Sequence, residues 1–172
     1  MAIKAKSKTR IHSSFQAKGY PFNNPFGFFR VMHEVKRDFL NAEELEVMAN
    51  KKLVSGRGSQ VRDTFLFSCY TGLAYADVKK LKCLEIVTGI DGKKWVYTSR
   101  QKTATSSRIP LLPQAMELMA KYGDHPQCVN DGLLLPVLSN QKMNSYLKEI
   151  ADACGINKEL TYYEPATLLQ RL

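Results

Sequence analysis

The chain has 172 residues, 44% of them hydrophobic and 24% charged, which is enough for one globular domain with a substantial core. No apolar run approaches the roughly 18 residues that a membrane-spanning helix needs, and the basic start Met1-Ala2-Ile3-Lys4-Ala5-Lys6 lacks the apolar segment of a secretory signal, so a cytoplasmic protein without membrane contact is expected. A net charge of +9 points to a polyanionic partner, most simply nucleic acid, with a merely solubilising basic tail as the plainer alternative.

That charge is uneven. Residues 1–40 hold eight Lys and Arg against Glu34 and Asp38, so +6 of the +9 lies there. Cys69, Cys83, Cys128 and Cys154 are widely spaced, as are His12, His33 and His125. Buried reduced thiols are expected, and neither a metal centre nor a cofactor site is.

Residues 1–22 lack sustained periodicity, and residues 1–37 read as a basic arm or linker left from an upstream core-binding region. Phe26, Phe28 and Phe29 form an aromatic cluster that suits packing on a domain edge better than stacking on bases. A helix is expected after Asn41, which can cap its first amides, with Glu43 and Glu44 at the positive dipole end and Leu45, Met48 and Ala49 facing inward. Ser55-Gly56-Arg57-Gly58-Ser59 reads as a flexible loop.

Phe65, Leu66, Cys69 and Leu73 recur at helical spacing, Thr71-Gly72 breaks that helix, and a second runs from Ala74 to Leu81. Asp77, Lys79, Lys80 and Lys82 are expected on its exposed side. The period then turns to alternation. Leu84, Ile86 and Thr88 form a strand, Asp91-Gly92 a tight turn, Trp95, Tyr97 and Ser99 a second strand, and Ser107, Ile109 and Leu111 a third. Pro110 marks that third strand as an edge, or as ending there.

Pro113 opens a helix with Ala115, Leu118 and Met119 inward, closed at Tyr122-Gly123. Gly132 to Leu138 is an extended apolar piece. Ser139 then caps an amphipathic helix that aligns Met143, Tyr146, Leu147, Ile150 and Cys154 and ends at Gly155. The expected fold is mainly α with a small three-stranded antiparallel sheet.

Two stretches carry a resemblance. Thr71-Gly72-Leu73, with an acidic residue at Asp77, resembles the first conserved box of the tyrosine recombinases, the phage integrase family. The position where that family has an arginine is Ala74 here. Tyr97-Thr98-Ser99-Arg100-Gln101-Lys102-Thr103, followed by Arg108-Ile109-Pro110-Leu111, resembles the family's β-hairpin, in which a lysine precedes a threonine and the next strand ends Ile-Pro-Leu. The resemblance covers residues 38–163 and implies a DNA breaking-rejoining catalytic domain that works without metal or cofactor. In the family a tyrosine attacks a DNA phosphate to give a 3′-phosphotyrosyl link, and arginines, a histidine and the lysine stabilise the developing charge.

By that resemblance Lys102 is the catalytic lysine, the proton donor to the 5′-oxygen leaving group; the plain alternative is a solvated hairpin lysine. Lys79, Lys80, Arg100 and Arg108 are the implied DNA-binding cations. Arg62 either reaches the phosphate in place of the arginine missing at Ala74 or is paired, for instance with Asp63 or Glu85. Double-stranded DNA and further recombinase protomers are the implied partners.

The family's second box, with its histidine, arginine and later tyrosine, should follow Gly155. Leu160-Thr161-Tyr162-Tyr163 approaches it, and then residues 164–172 match nothing expected. A choice of synonymous codons for residues 164–172, read one frame over, gives Ala-Arg-His-Thr-Phe-Ala-Thr-Thr, very close to that box. The tail is therefore expected to be out of frame and the domain incomplete at its C-terminus, with Tyr162 and Tyr163 poor nucleophile candidates. The expected activity is DNA binding without cutting. The alternatives are a non-catalytic DNA-binding protein on the recombinase scaffold and, more remotely, a basic helical protein with an RNA or protein partner.

Overall fold

The computed structural model describes residues 40–100 and 105–162. The arm with Phe26, Phe28 and Phe29, the hairpin lysine Lys102, and Tyr163 with the tail behind it lie outside the described residues.

Helix α1 spans Ala42–Asn50 and starts as its sequence dictates. Asn41 accepts from the Glu44 amide at 2.7 Å while the Glu44 carboxylate accepts from the Asn41 amide at 2.8 Å, a complete capping box. Met48 is buried, with Leu45 and Ala49 packed beside it.

Helix α2, Gly56–Thr71, is the centre of the domain. It begins in the stretch expected to be a loop, because Ser55 takes the N-cap and accepts from the Gly58 amide at 3.3 Å. Two glycines near the first turn are poor helix formers, and the packing of the rest of the helix overrides that preference. One buried face was expected; instead every residue from Val61 to Cys69 except Arg62 is buried. Val61, Phe65, Leu66 and Cys69 join a cluster with Met143, Leu147, Ile150 and Leu160, while Phe67 joins a second cluster with Leu73, Val78, Leu81, Val96 and Leu135. A fully buried Phe or Leu contributes about 1.5–3 kcal/mol, so α2 is stabilised from both sides. Gly72 ends it at φ +68°, a left-handed conformation that glycine adopts without strain.

Helix α3 is Tyr75–Lys80. Lys79 and Lys82 are exposed as expected, whereas Asp77 is buried. A 3-10 turn, Cys83–Glu85, replaces the start of the expected strand and leaves Leu84 exposed. Strands β1 (Ile86–Thr88), β2 (Lys94–Ser99) and β3 (Ser106–Pro110) form an antiparallel sheet in the order β1-β2-β3. Val96 pairs with Ile86 on one side and Ile109 on the other and faces the core. Tyr97 and Ser99 therefore face out. β3 is an edge that ends at Pro110, which cannot donate to a ladder.

Helix α4 spans Pro113–Tyr122. A short helix that the sequence reading lacked, α5 (Pro126–Asp131), follows with His125 as its cap. Leu134, Leu135 and Val137 then run buried through the second cluster. Helix α6 is Asn140–Cys154, closed by Gly155 at φ +71°. Ser139 holds its N-cap position without a side-chain cap bond, contrary to expectation. Cys69 and Cys128 are buried thiols, Cys154 is half-buried, and Cys83 is exposed.

Candidate nucleic-acid interface

The turn between α2 and α3 places Ala74, with an exposed methyl side chain, at the head of the short helix. Its carbonyl accepts from the Asp77 and Val78 amides at 2.9 and 3.0 Å, and it offers no side-chain donor. The cations nearest in sequence sit at the far end of α3. The Lys79 ammonium lies 5.7 Å from the centre of the Tyr75 ring. The Lys80 ammonium is 3.5 Å from the Asp77 carboxylate and donates to the Ser99 carbonyl. Ser99 lies past the last β1–β2 pair, so Lys80 ties the first box to the open edge of β2.

Arg100 follows immediately, with an exposed side chain. Its amide donates to the Thr105 carbonyl at 2.9 Å, closing the neck of the β2–β3 hairpin. On β3, exposed Arg108 stands across from Tyr97, its guanidinium carbon 5.3 Å from the ring centre. Lys80, Arg100 and Arg108 thus belong to one hairpin and its anchor.

Arg62 lies elsewhere. Its Nε and Nη2 atoms are each 2.8 Å from Asp63 Oδ1, and Nη1 donates to the Lys51 carbonyl. From Arg62 to Thr71 is nine residues of helix, about 14 Å along the axis. This geometry favours the ion pair with Asp63 over a contact beside Ala74. Asp63, 1% exposed, also accepts from Lys121 Nζ at 2.5 Å and from the Tyr122 hydroxyl at 2.8 Å. Burial, and then the hydrogen bond to this carboxylate, push the Tyr122 hydroxyl far above its ordinary pKa. The network joins α2 to α4 and was not read from the sequence; a charged residue at a helix's buried centre is a signal only once that burial is known.

Tyr162, the last described residue, is 3% exposed. Its hydroxyl lies 2.5 Å from Ser68 Oγ and donates to the Thr64 carbonyl at 3.0 Å. Its ring meets Phe65 and Tyr75 edge-on at 5.8 and 5.3 Å. Burial holds its pKa well above the usual tyrosine value. A phenol so enclosed has neither the access nor the ionisation of a nucleophile. It does bring the chain out against Tyr75, next to Ala74.

Among the described residues no helix is long and apolar enough to cross a membrane. No group of three or more His, Cys, Asp or Glu among them is placed to hold a metal ion.

No family model and no curated protein matches the chain. Solved structures do. A lambda integrase (75-356) dimer bound to a COC′ core site superimposes with TM-score 0.64 at 20% identity, over 91% of this chain and 57% of that one. The lambda integrase catalytic core gives TM-score 0.60 at 21% identity, over 78% of this chain and 82% of that one. The XerH site-specific recombinase bound to difH substrate, in a pre-cleavage complex, gives 0.58 at 17% identity, over 77% and 43%. The chain has the fold of a tyrosine recombinase catalytic domain, as the two sequence boxes anticipated, and it spans little more than half of the lambda integrase chain in the dimer complex.

Proposed function

We propose that this chain is the catalytic-domain portion of a site-specific DNA recombinase or integrase of a mobile element, which binds duplex DNA in the cytoplasm and does not cut it. The observation that carries the reading is the junction of the two boxes on this fold: Lys80 of the first donates to Ser99 of the second, so Lys80, Arg100 and Arg108 gather around one hairpin, with Lys79 beside Lys80 on α3. On this reading these cations contact DNA phosphates. Lys102 is the proton donor to the leaving oxygen in an intact relative. Other recombinase protomers are its protein partners.

Two observations favour the second reading, a DNA-binding protein on the same scaffold without catalysis. Ala74 supplies no cation to a phosphate, and Tyr162 is sealed in the core. Arg62 as a substitute for the missing arginine would have to leave Asp63. Residues 164–172 as an out-of-frame tail, and residues 1–37 as the remnant of an upstream region, remain part of the proposal. Sequencing the gene past the codon of Gly155 tests the first of these.

The functional test incubates the full chain with duplex DNA. Binding is followed across salt, and covalent protein–DNA adducts are sought on a denaturing gel. The expected result is binding that weakens steeply with salt, and no adduct. A flat salt response or no binding overturns the DNA reading, and an adduct overturns the claim of inactivity.

A further inference from the structure

Residues 92–116 contain five basic side chains, Lys93, Lys94, Arg100, Lys102 and Arg108, and no Asp or Glu. The stretch encodes β2, β3 and the residues between them. The ion pairs among the described residues occupy Arg62, Lys80, Lys121, Lys148 and Lys158. Arg108 is in none of them. An aromatic ring restrains it instead: Tyr97 is its direct cross-strand partner, 38% exposed, with the guanidinium 5.3 Å from its centre.

A guanidinium lying on a ring keeps its planar fork of N–H donors oriented without giving them to a carboxylate. Such a fork matches a phosphate. The next row of the same outward face is Ser99 opposite Ser106, both exposed. The rows are two residues apart, about 6.6 Å along the strand. The outer face of the hairpin therefore presents a pre-oriented cation and then two hydroxyls, in a segment without acidic side chains.

We infer that Tyr97 is a positioning residue that presents Arg108 to a DNA backbone phosphate, and that Tyr97, Arg108, Ser99 and Ser106 form a phosphate-contacting strip on the outer face of the β2–β3 hairpin. The inference rests on the proposed DNA-binding function and adds to it a surface and a role for the tyrosine. The strip commits to a phosphodiester backbone because its charge is of one sign and its guanidinium fork and hydroxyls match phosphate oxygens.

The test measures binding of the full-length chain to a fluorescein-labelled DNA duplex of arbitrary sequence between about 50 and 200 mM salt. Arg108→Ala is expected to reduce the magnitude of the salt slope by about 0.9, the value of one phosphate contact. Arg108→Lys should keep the slope and still lose affinity, because an ammonium lacks the planar fork. Tyr97→Leu should weaken binding about two- to fivefold, the equivalent of an exposed cation–π contact, while Tyr97→Phe binds like the wild type.

The decisive readout is the double variant: in the Arg108→Ala background Tyr97→Leu should have no further effect. An equal loss in that background makes the ring merely structural and overturns the inference. If Arg100→Ala weakens binding while the Tyr97 and Arg108 variants do not, the strip falls and the DNA-binding function stands. If the wild-type chain binds no duplex, both fall together.

Discussion

The hydroxyl of Tyr162 lies 2.5 Å from that of Ser68, though the two residues are 94 positions apart. Ser68 Oγ also lies 3.2 Å from the Thr64 carbonyl oxygen, and Asn144 accepts from the Tyr162 amide at 2.9 Å. The end of the described chain is thus fixed by α2 and α6 together, at a point where its ring touches Tyr75 of the first box.

Removing that hydroxyl tests the anchor. Tyr162→Phe keeps the ring contacts and loses the buried hydrogen bonds, a cost of about 1–2 kcal/mol. A fall in melting temperature of several degrees is expected for a domain of this size. An unchanged melting temperature would mean that the hydroxyl bonds add nothing net.

The same phenol and Tyr122 contribute to alkaline stability. Both have pKa values raised by burial in the folded state. Their unfolded values lie near 10, so above about pH 10 the unfolded chain has lost protons that the folded chain keeps. Stability is full below that pH and is lost as pH rises toward the folded values. Denaturant midpoints should fall above about pH 10, and Tyr122→Phe or Tyr162→Phe should flatten the decline. A wild-type midpoint constant through that range would contradict the burial argument.

Arg62 and Asp63 separate a structural role from a phosphate role. Asp63→Ala leaves the Tyr122 hydroxyl without its acceptor and Arg62 with only the Lys51 carbonyl, and breaking a buried charge network costs about 3 kcal/mol or more. Half-exposed Lys121 returns to water and adds little. Arg62→Ala is expected to lower the melting temperature and leave the salt slope of DNA binding unchanged. The reverse pattern would assign Arg62 to the phosphate.

At α1, Asn41→Ala should cost about 1 kcal/mol by removing the cap. The Glu44 carboxyl is desolvated, which alone would raise its pKa, but the hydrogen bonds from Lys158 and the Asn41 amide outweigh that and hold it below the usual value. Its contribution is present above the unfolded carboxylate pKa near 4.3 and is lost as pH falls through the lower folded value. Glu44→Gln should therefore reduce the acid sensitivity of unfolding, which a urea titration at several pH values measures.

Gly89 lies under the single tryptophan. A Cβ there would come 2.6 Å from Asp91 Oδ1 and 2.8 Å from Trp95 Nε1, atoms that themselves hydrogen-bond at 3.2 Å. Gly89→Ala is expected to separate that pair and cost about 1 kcal/mol, the value of the hydrogen bond. Trp95 is the sole tryptophan, so a shift in its emission reports the change directly, and an unaltered spectrum would show that the turn absorbs the methyl.

Local chemistry made much of this fold legible. The Asn41 cap, the Gly72 and Gly155 helix ends, the Asp91-Gly92 turn and the Pro110 edge are decided by residues within a few positions of one another, so the chain alone determines them. So are the two boxes that carry the recombinase resemblance. What lay beyond the sequence depended on partners far along the chain. Ser55-Gly56-Arg57 reads as a loop by propensity and becomes helix because α2 is buried on both sides. Asp77 looks exposed by its charge, yet α3 turns it inward. The alternation of β2 marked Tyr97 as one face of a strand. Only the register, which sets Arg108 across from it, and the inward turn of Val96, which leaves both in solvent, made a pair of them. Side-chain identity fixes local backbone preferences, whereas which groups end up buried or facing one another is decided by long-range packing, where burial free energy outweighs those preferences.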